Sequence, residues 1–227
     1  SLIWDKDRYS AHCISNSNHQ KEELFSRSLP RSNLAPKKLF IGYSVYYKKI
    51  HRMSGQIKNF RIYSRALTEE QVKALYEWEK PEEPTEPEKP AEPEEPAFLK
   101  EGLVAYYPFN GNAKDESGNG NDGDVKGATL SSDRHEGKNS SYKFDARGEM
   151  IEVPDNASLR PKHITLSSWI NTTYTQSGSI IGKSNYSNAS GEQYNLMLRN
   201  NKAQFTIKRN SEGVRGSGWK EIIGPTP

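Results

Sequence analysis

The chain has a single cysteine, Cys13, among 227 residues, so no internal disulfide can form and no disulfide scaffold underlies the fold. No Cys/His cluster has the spacing of a zinc site. No apolar run is long enough to cross a bilayer, which argues against membrane insertion. The first residue is Ser1, and neither an initiating Met nor a leader opens the sequence, so the chain is expected to be cut from a longer one. Lys and Arg never run beyond doublets such as Lys37-Lys38 and Lys48-Lys49, a pattern of solvated surface that argues against a nucleic-acid partner.

The stretch from Glu79 through Pro96 lacks any apolar residue larger than alanine or proline. Its prolines fix φ and remove backbone donors, while its eight Glu repel one another against only Lys80 and Lys89. Such a sequence builds no core and reads as an extended spacer, reaching roughly 55 Å at about 3.1 Å per residue. It carries a net charge of −6, which leaves +9 on the rest of a chain whose formal total is +3.

Before the spacer, Ser1 to Trp4 and the alternating Tyr9, Ala11 and Cys13 predict a hairpin, and Ser15 to Pro36 reads as loop. Cys13 on such a strand reads as a small buried hydrophobe more readily than as a reactive thiol. Leu39 to Gly42 and Ile57 to Tyr63 predict strands. Thr68 and Gln71 form a capping box, Leu67 and Val72 a hydrophobic staple, and Val72, Leu75 and Tyr76 one apolar stripe, which predicts a short helix over 68–78. Between Gly42 and Gly55, Tyr43, Tyr46 and Tyr47 are interleaved with Lys48, Lys49, His51 and Arg52. Aromatic faces beside cations suit a sugar ring or an acidic ligand. The alternative is a hairpin whose aromatics pack on a sheet and whose cations are solvated.

After the spacer, Gly102 to Phe109 is apolar on both alternating faces, as a strand covered on two sides would be. It runs into Asp115 to Asp124, DESGNGNDGD, where Asp115, Ser117 and Asn119 precede Gly120 at the spacing that opens a calcium loop. The twelfth position is Lys126, not Glu, so a helix-flanked calcium site is excluded. Two readings remain: a sheet-edge calcium site built from Asp115, Asn119, Asp122 and Asp124, or a glycine-rich turn whose Asx side chains cap the backbone. Further on, Tyr194, Leu196 and Leu198, then Ala203, Phe205 and Ile207, alternate on either side of Asn200-Asn201 and predict a hairpin.

The phrase GQIKNFRIYSRALTEEQVKALY, Gly55 to Tyr76, resembles the closing signature of laminin G-like domains of the concanavalin A-like lectin and glucanase superfamily. GLVAYYPF with the DESGNGNDGD loop resembles the opening signature of the same family. Tyr142 to Asp145 followed by Met150 to Pro154 looks like its second hairpin, Ile164 to Ile170 its central strand, and Trp219 to Ile223 its mid-domain Trp strand. Lys58 departs from the pattern, since many members carry Asp there. The resemblance implies an all-β, antiparallel jelly-roll sandwich with one short helix. It implies this in reversed order: residues 1–78 as the C-terminal half of one such domain, 79–97 as linker, and 98–227 as the N-terminal half of a second. The halves either complete themselves with neighbouring laminin G-like copies in a parent array or by exchange between two chains, or pack on each other as one circularly permuted sandwich. In the latter case Gly102 to Phe109 should pair with Ile57 to Tyr63.

The same resemblance implies a lectin-like binding or adhesion module of a secreted or cell-surface multidomain protein, with carbohydrate or another extracellular protein as ligand. A purely structural spacer is the alternative, and fold alone does not separate the two. The superfamily also includes glucan hydrolases, whose retaining carboxylates sit about 5 Å apart across the bond. The nearest pair here, Glu149 and Glu152, is spaced three along a strand and so points to opposite faces. The sequence therefore reads as non-catalytic.

Overall fold

The computed structural model of the chain describes residues 2–5, 8–15, 18–23, 38–46, 49–79, 96–133, 137–146, 148–161, 163–172, 178–184, 194–200, 202–208 and 219–223. Residues 80–95, most of the expected linker, lie outside them. In chain order the first strands are β1 (Leu2–Asp5), β2 (Arg8–Ser15), β3 (Asn18–Glu23), β4 (Lys38–Ile41), β5 (Tyr43–Tyr46), β6 (Lys49–Arg52) and β7 (Gly55–Tyr63), followed by α1 (Glu69–Glu79). After the linker come β8 (Leu103–Tyr107), β9 (Asp124–Lys126), β10 (Thr129–Ser131), β11 (Ser141–Phe144), β12 (Met150–Pro154) and β13 (Ile164–Asn171). The last are β14 (Gly178–Ser184), β15 (Tyr194–Arg199), β16 (Lys202–Lys208) and β17 (Trp219–Ile223).

The strands form two large antiparallel sheets, as expected of an all-β sandwich. Sheet A runs β10-β11-β7-β13-β1-β2-β3, with β8 also on β7, and sheet B runs β17-β16-β15-β14-β4-β12-β9. β5 and β6 make a separate hairpin. The period-two pattern sends alternate residues between the sheets. Ile57, Phe60, Ile62, Phe144 and Leu166 from sheet A meet Leu39, Ile41, Ile151, Ile181, Leu196 and Phe205 from sheet B in one buried cluster.

β7 is the hub of sheet A. One edge pairs with β13 and the other is shared end to end, Gln56 opposite Lys143 on β11 and Phe60 opposite Tyr107 on β8. Asn59, at φ 48°, lies between these two zones and takes up the change of partner. The pairing expected between 102–109 and 57–63 is present. Tyr107 also stacks on Phe60 with ring centroids 6.1 Å apart. In sheet B, β4 lies between β12 and β14, with Ile41 opposite both Ile151 and Ile181.

The capping box forms as its chemistry requires. Gln71 N donates to Thr68 Oγ1 at 3.3 Å, and Thr68 N donates to Gln71 Oε1 at 3.1 Å. Leu67, Val72 and Leu75 are buried with Tyr63 and Leu99, which seats α1 on the outward face of sheet A.

Three expectations are corrected. The segment read as loop from Ser15 includes β3, which pairs with β2; its polar composition hides the strand. Tyr142 to Asp145 and Met150 to Pro154 are not a hairpin, because β11 belongs to sheet A and β12 to sheet B. The turn between them crosses from sheet to sheet, and Glu149 Oε2 accepts from Asp145 N and Ala146 N within it. Glu79, assigned to the spacer by composition, is the last residue of α1 and is buried.

Candidate functional site

The hairpin β5–β6 is where the sequence placed a ligand cluster, and it lies on the outward face of sheet B. Glycine makes the approach possible: a Cβ on Gly182 would stand 2.6 Å from Ser44 Cβ. Tyr43 is buried at 4% exposure and meets Phe40 edge to face at 5.7 Å, with Met150 completing the cluster. Its ring is packed against the sheet and is not presented to solvent, which corrects its candidacy as a stacking platform. His51 and Arg52 are half-buried on β6. Tyr46 ends β5, but its side chain lies outside the described residues, as do Tyr47 and Lys48 entirely.

Beneath and beside this hairpin is a polar layer that the sequence reading did not single out. Pairing registers place Gly182, Asn195 and Thr206 in one cross-strand row, and Ser179, Met197 and Gln204 in the next. Both rows face away from the apolar core, because Tyr194, Leu196 and Phe205 take the alternate positions inside it. Ser179 Oγ donates to Asn195 Oδ1 at 2.8 Å, and Asn195 Nδ2 donates to Ser44 Oγ on the hairpin at 3.1 Å. Gln204 and Thr206 are fully buried, yet neither the Gln204 carboxamide nor the Thr206 hydroxyl has a hydrogen-bond partner among the described residues. A buried amide without partners is costly, of the order of 1–3 kcal/mol. The signal in the sequence was the run of polar residues between the apolar ones of 194–207. Alternation alone assigns such positions to solvent.

The Asp115 to Asp124 loop folds back on the free edge of β8. Asp115 Oδ1 accepts from Tyr106 N and Ser117 N, both at 2.9 Å, and Oδ2 accepts from Asn121 N at 2.9 Å. Glu116 N donates to Tyr106 O at 2.8 Å, while Asn119 Nδ2 and Asn121 Nδ2 both donate to Val104 O. The loop thus satisfies the edge that β7 leaves open, which protects an otherwise adhesive strand. It also holds Tyr107, whose hydroxyl donates to Asn121 O at 2.5 Å and whose pKa is pushed up by burial and then by Asp115. Asp122 accepts from Asp115 N at 2.9 Å, whereas Asp124 stands apart on β9, paired with Lys126. Asn119 turns its amide, a donor, to carbonyl oxygens. Among the described residues no group of three or more His, Cys, Asp or Glu is placed to hold a metal.

Two other charged groups are buried. Lys183, fully buried, donates to Asp155 Oδ1 at 2.6 Å, and Arg160 holds the other carboxylate oxygen at 2.8 Å. Burial pulls the Lys183 pKa down, with Asp155 opposing. On the outward face of sheet A, Arg61 pairs with Glu79, and its guanidinium lies 3.9 Å from the Tyr106 ring centroid. Glu79 Oε2 accepts from Trp169 Nε1 at 2.5 Å, and Tyr76 stacks on Trp169. Glu149 and Glu152 do not face each other: Glu149 closes its turn and Glu152 pairs with Lys38. No helix among the described residues is long and apolar enough to cross a membrane. Compared with family models, with characterised proteins and with solved structures, the chain matches none of them.

Proposed function

We propose that the chain is a non-catalytic, lectin-like binding module of a secreted or surface multidomain protein, and that its ligand face is the outward side of sheet B. The observation that carries this reading is the buried carboxamide of Gln204 with the Thr206 hydroxyl, neither partnered among the described residues, in one layer with Asn195, Ser179 and Ser44. The layer is neutral and offers both donors and acceptors, which suits a hydroxyl-rich, uncharged ligand such as a saccharide better than an acidic one. Entry requires movement of the hairpin β5–β6, which lies over this face.

The laminin G-like reading is supported by the placement of the two signatures. The strand of the opening one, β8, lies beside the strand of the closing one, β7, and α1 closes the outward face of sheet A. A single permuted jelly roll is the simplest arrangement that places them so.

The test is a glycan array probed with and without calcium, run beside a Gln204→Leu variant. Binding by the parent chain that the variant loses supports the site. Binding that the variant keeps moves the ligand elsewhere. Silence at high protein concentration favours the second reading, a structural spacer, for which the packed Tyr43 ring and the internally satisfied Asp115 loop speak.

A further inference from the structure

The two segments flanking residues 80–95 are bound to each other through the centre of the molecule. Among the described residues β4 pairs only with β12 and β14, and β7 only with β8, β11 and β13, every one of them beyond residue 96. The outward side repeats the pattern: Leu67 N donates to Thr165 Oγ1, which donates to Arg65 O at 2.9 Å, and Arg65 Nη2 donates to Phe98 O at 2.9 Å. β1 of the first segment also pairs with β13, so the first segment completes both sheets of the second, and one covalent link joins them.

That link is mismatched to the task of closing the chain on itself. Trp78 at its start and Phe98 just after its end pack against the same small cluster of Tyr63, Leu67, Val72, Leu75 and Leu99. Of the residues between them, the sixteen of 80–95 are Pro- and Glu-rich spacer. At about 3.1 Å per residue such a sequence favours a span of roughly 50 Å, and mutual repulsion among its glutamates resists bending it back. Separating the ends, with each segment seated in a different molecule, relieves that cost.

We infer that the partner of this chain is a second copy of itself, the segment through Glu79 of one molecule completing the segment from Pro96 of the other. Exchange needs no new interface, because every contact made within one chain is remade between two. It goes beyond the ligand reading above and does not depend on it.

The test uses full-length chains in a Cys13→Ser background. One pool carries Gln56→Cys and the other Lys143→Cys, positions that face each other across β7 and β11. The pools are unfolded together, refolded at protein concentrations up to about 1 mM, the range of intramolecular effective concentrations, and then oxidised. Exchange gives a disulfide-linked mixed dimer whose yield rises with concentration. Replacing residues 80–95 by a flexible Gly/Ser stretch of equal length lowers that yield several-fold, and an unchanged yield overturns the role assigned to the spacer. A single chain carrying both cysteines, refolded dilute, cross-links within itself. If it does so while no mixed dimer forms, exchange is overturned and the shared sandwich stands; if it fails, the pairing of the segments is itself overturned.

Discussion

The outward faces of the two sheets are both covered, and the covers treat polar groups in opposite ways. On sheet A, α1 brings charge to charge: Arg61 meets Glu79, Trp169 donates to Glu79, and Tyr106 receives the face of the guanidinium. On sheet B, the hairpin β5–β6 satisfies Asn195 through Ser44, while Gln204 and Thr206 have no side-chain partner among the described residues. Paired charges anchor a packing surface, whereas buried polar side chains without partners cost stability. The difference is between a face held by charge pairs and a face that keeps neutral polar side chains buried.

The sharpest way to break the contrast is to open the closed face. Glu79→Ala removes the partner of a guanidinium that is 2% exposed and strands a buried charge, so a loss of about 3–5 kcal/mol is expected in urea unfolding. The double variant Arg61→Met, Glu79→Leu should recover most of it, because no uncompensated charge remains. Equal losses in the single and double variants would show that the network contributes only by its packing.

Raising the pH probes groups buried between the faces. Burial raises the pKa of both Tyr107 and Tyr194 above the ordinary phenol value. Their contribution is therefore complete below about pH 10, where unfolded tyrosine starts to ionise, and is lost as pH rises towards the folded values. Each should remove up to about 1.4 kcal/mol per pH unit in that window. Lys183 works the other way: its lowered pKa means that the unfolded chain binds the extra proton, so stability gains as pH climbs towards the ordinary lysine value. A stability profile without a fall above pH 10 would show that the two phenols are not held neutral by the fold.

The open face should respond with the opposite sign. Gln204→Leu removes an unsatisfied amide at nearly constant volume and is expected to stabilise the chain by about 1–2 kcal/mol while abolishing glycan binding. A destabilised variant would place partners on that amide and make the layer structural.

Which parts of this contrast the sequence announces depends on the range of the forces involved. Thr68, Gln71 and Leu67 act over three to five residues, so the start of α1 is legible in one line of sequence. β7, β15 and β16 follow from alternation, and β8 is recognisable because it is apolar on both faces. Alternation identifies the inward face and says nothing of what lies outside. Asn195 and Gln204 therefore look solvated, and Tyr43 looks available to a ligand, until a hairpin separated from β14 by seven strands of the chain is laid across it. Glu79 is the plainest case: its neighbours in sequence are spacer glutamates, and only Arg61 and Trp169, brought by sheet A, make it a core residue.

The smallest effect is expected from calcium at the Asp115 loop. A cation there must compete with three backbone N–H groups for the two Asp115 oxygens, and each donor it displaces would have to be satisfied again on the edge of β8. Asn119 offers its amide to backbone carbonyls, and Asp124 is held by Lys126 on a separate strand. What remains for the ion is Asp122 and water, a poor share of the six to eight oxygens that calcium prefers. A dissociation constant near 1 mM would add about 0.4 kcal/mol at 1 mM calcium, a shift of roughly 1–2 °C in melting temperature. Scanning calorimetry in millimolar calcium and then in chelator measures this directly. A shift of more than about 5 °C would mean that the loop rearranges to give up its backbone donors, and that its first task is to hold the ion instead of the edge of β8.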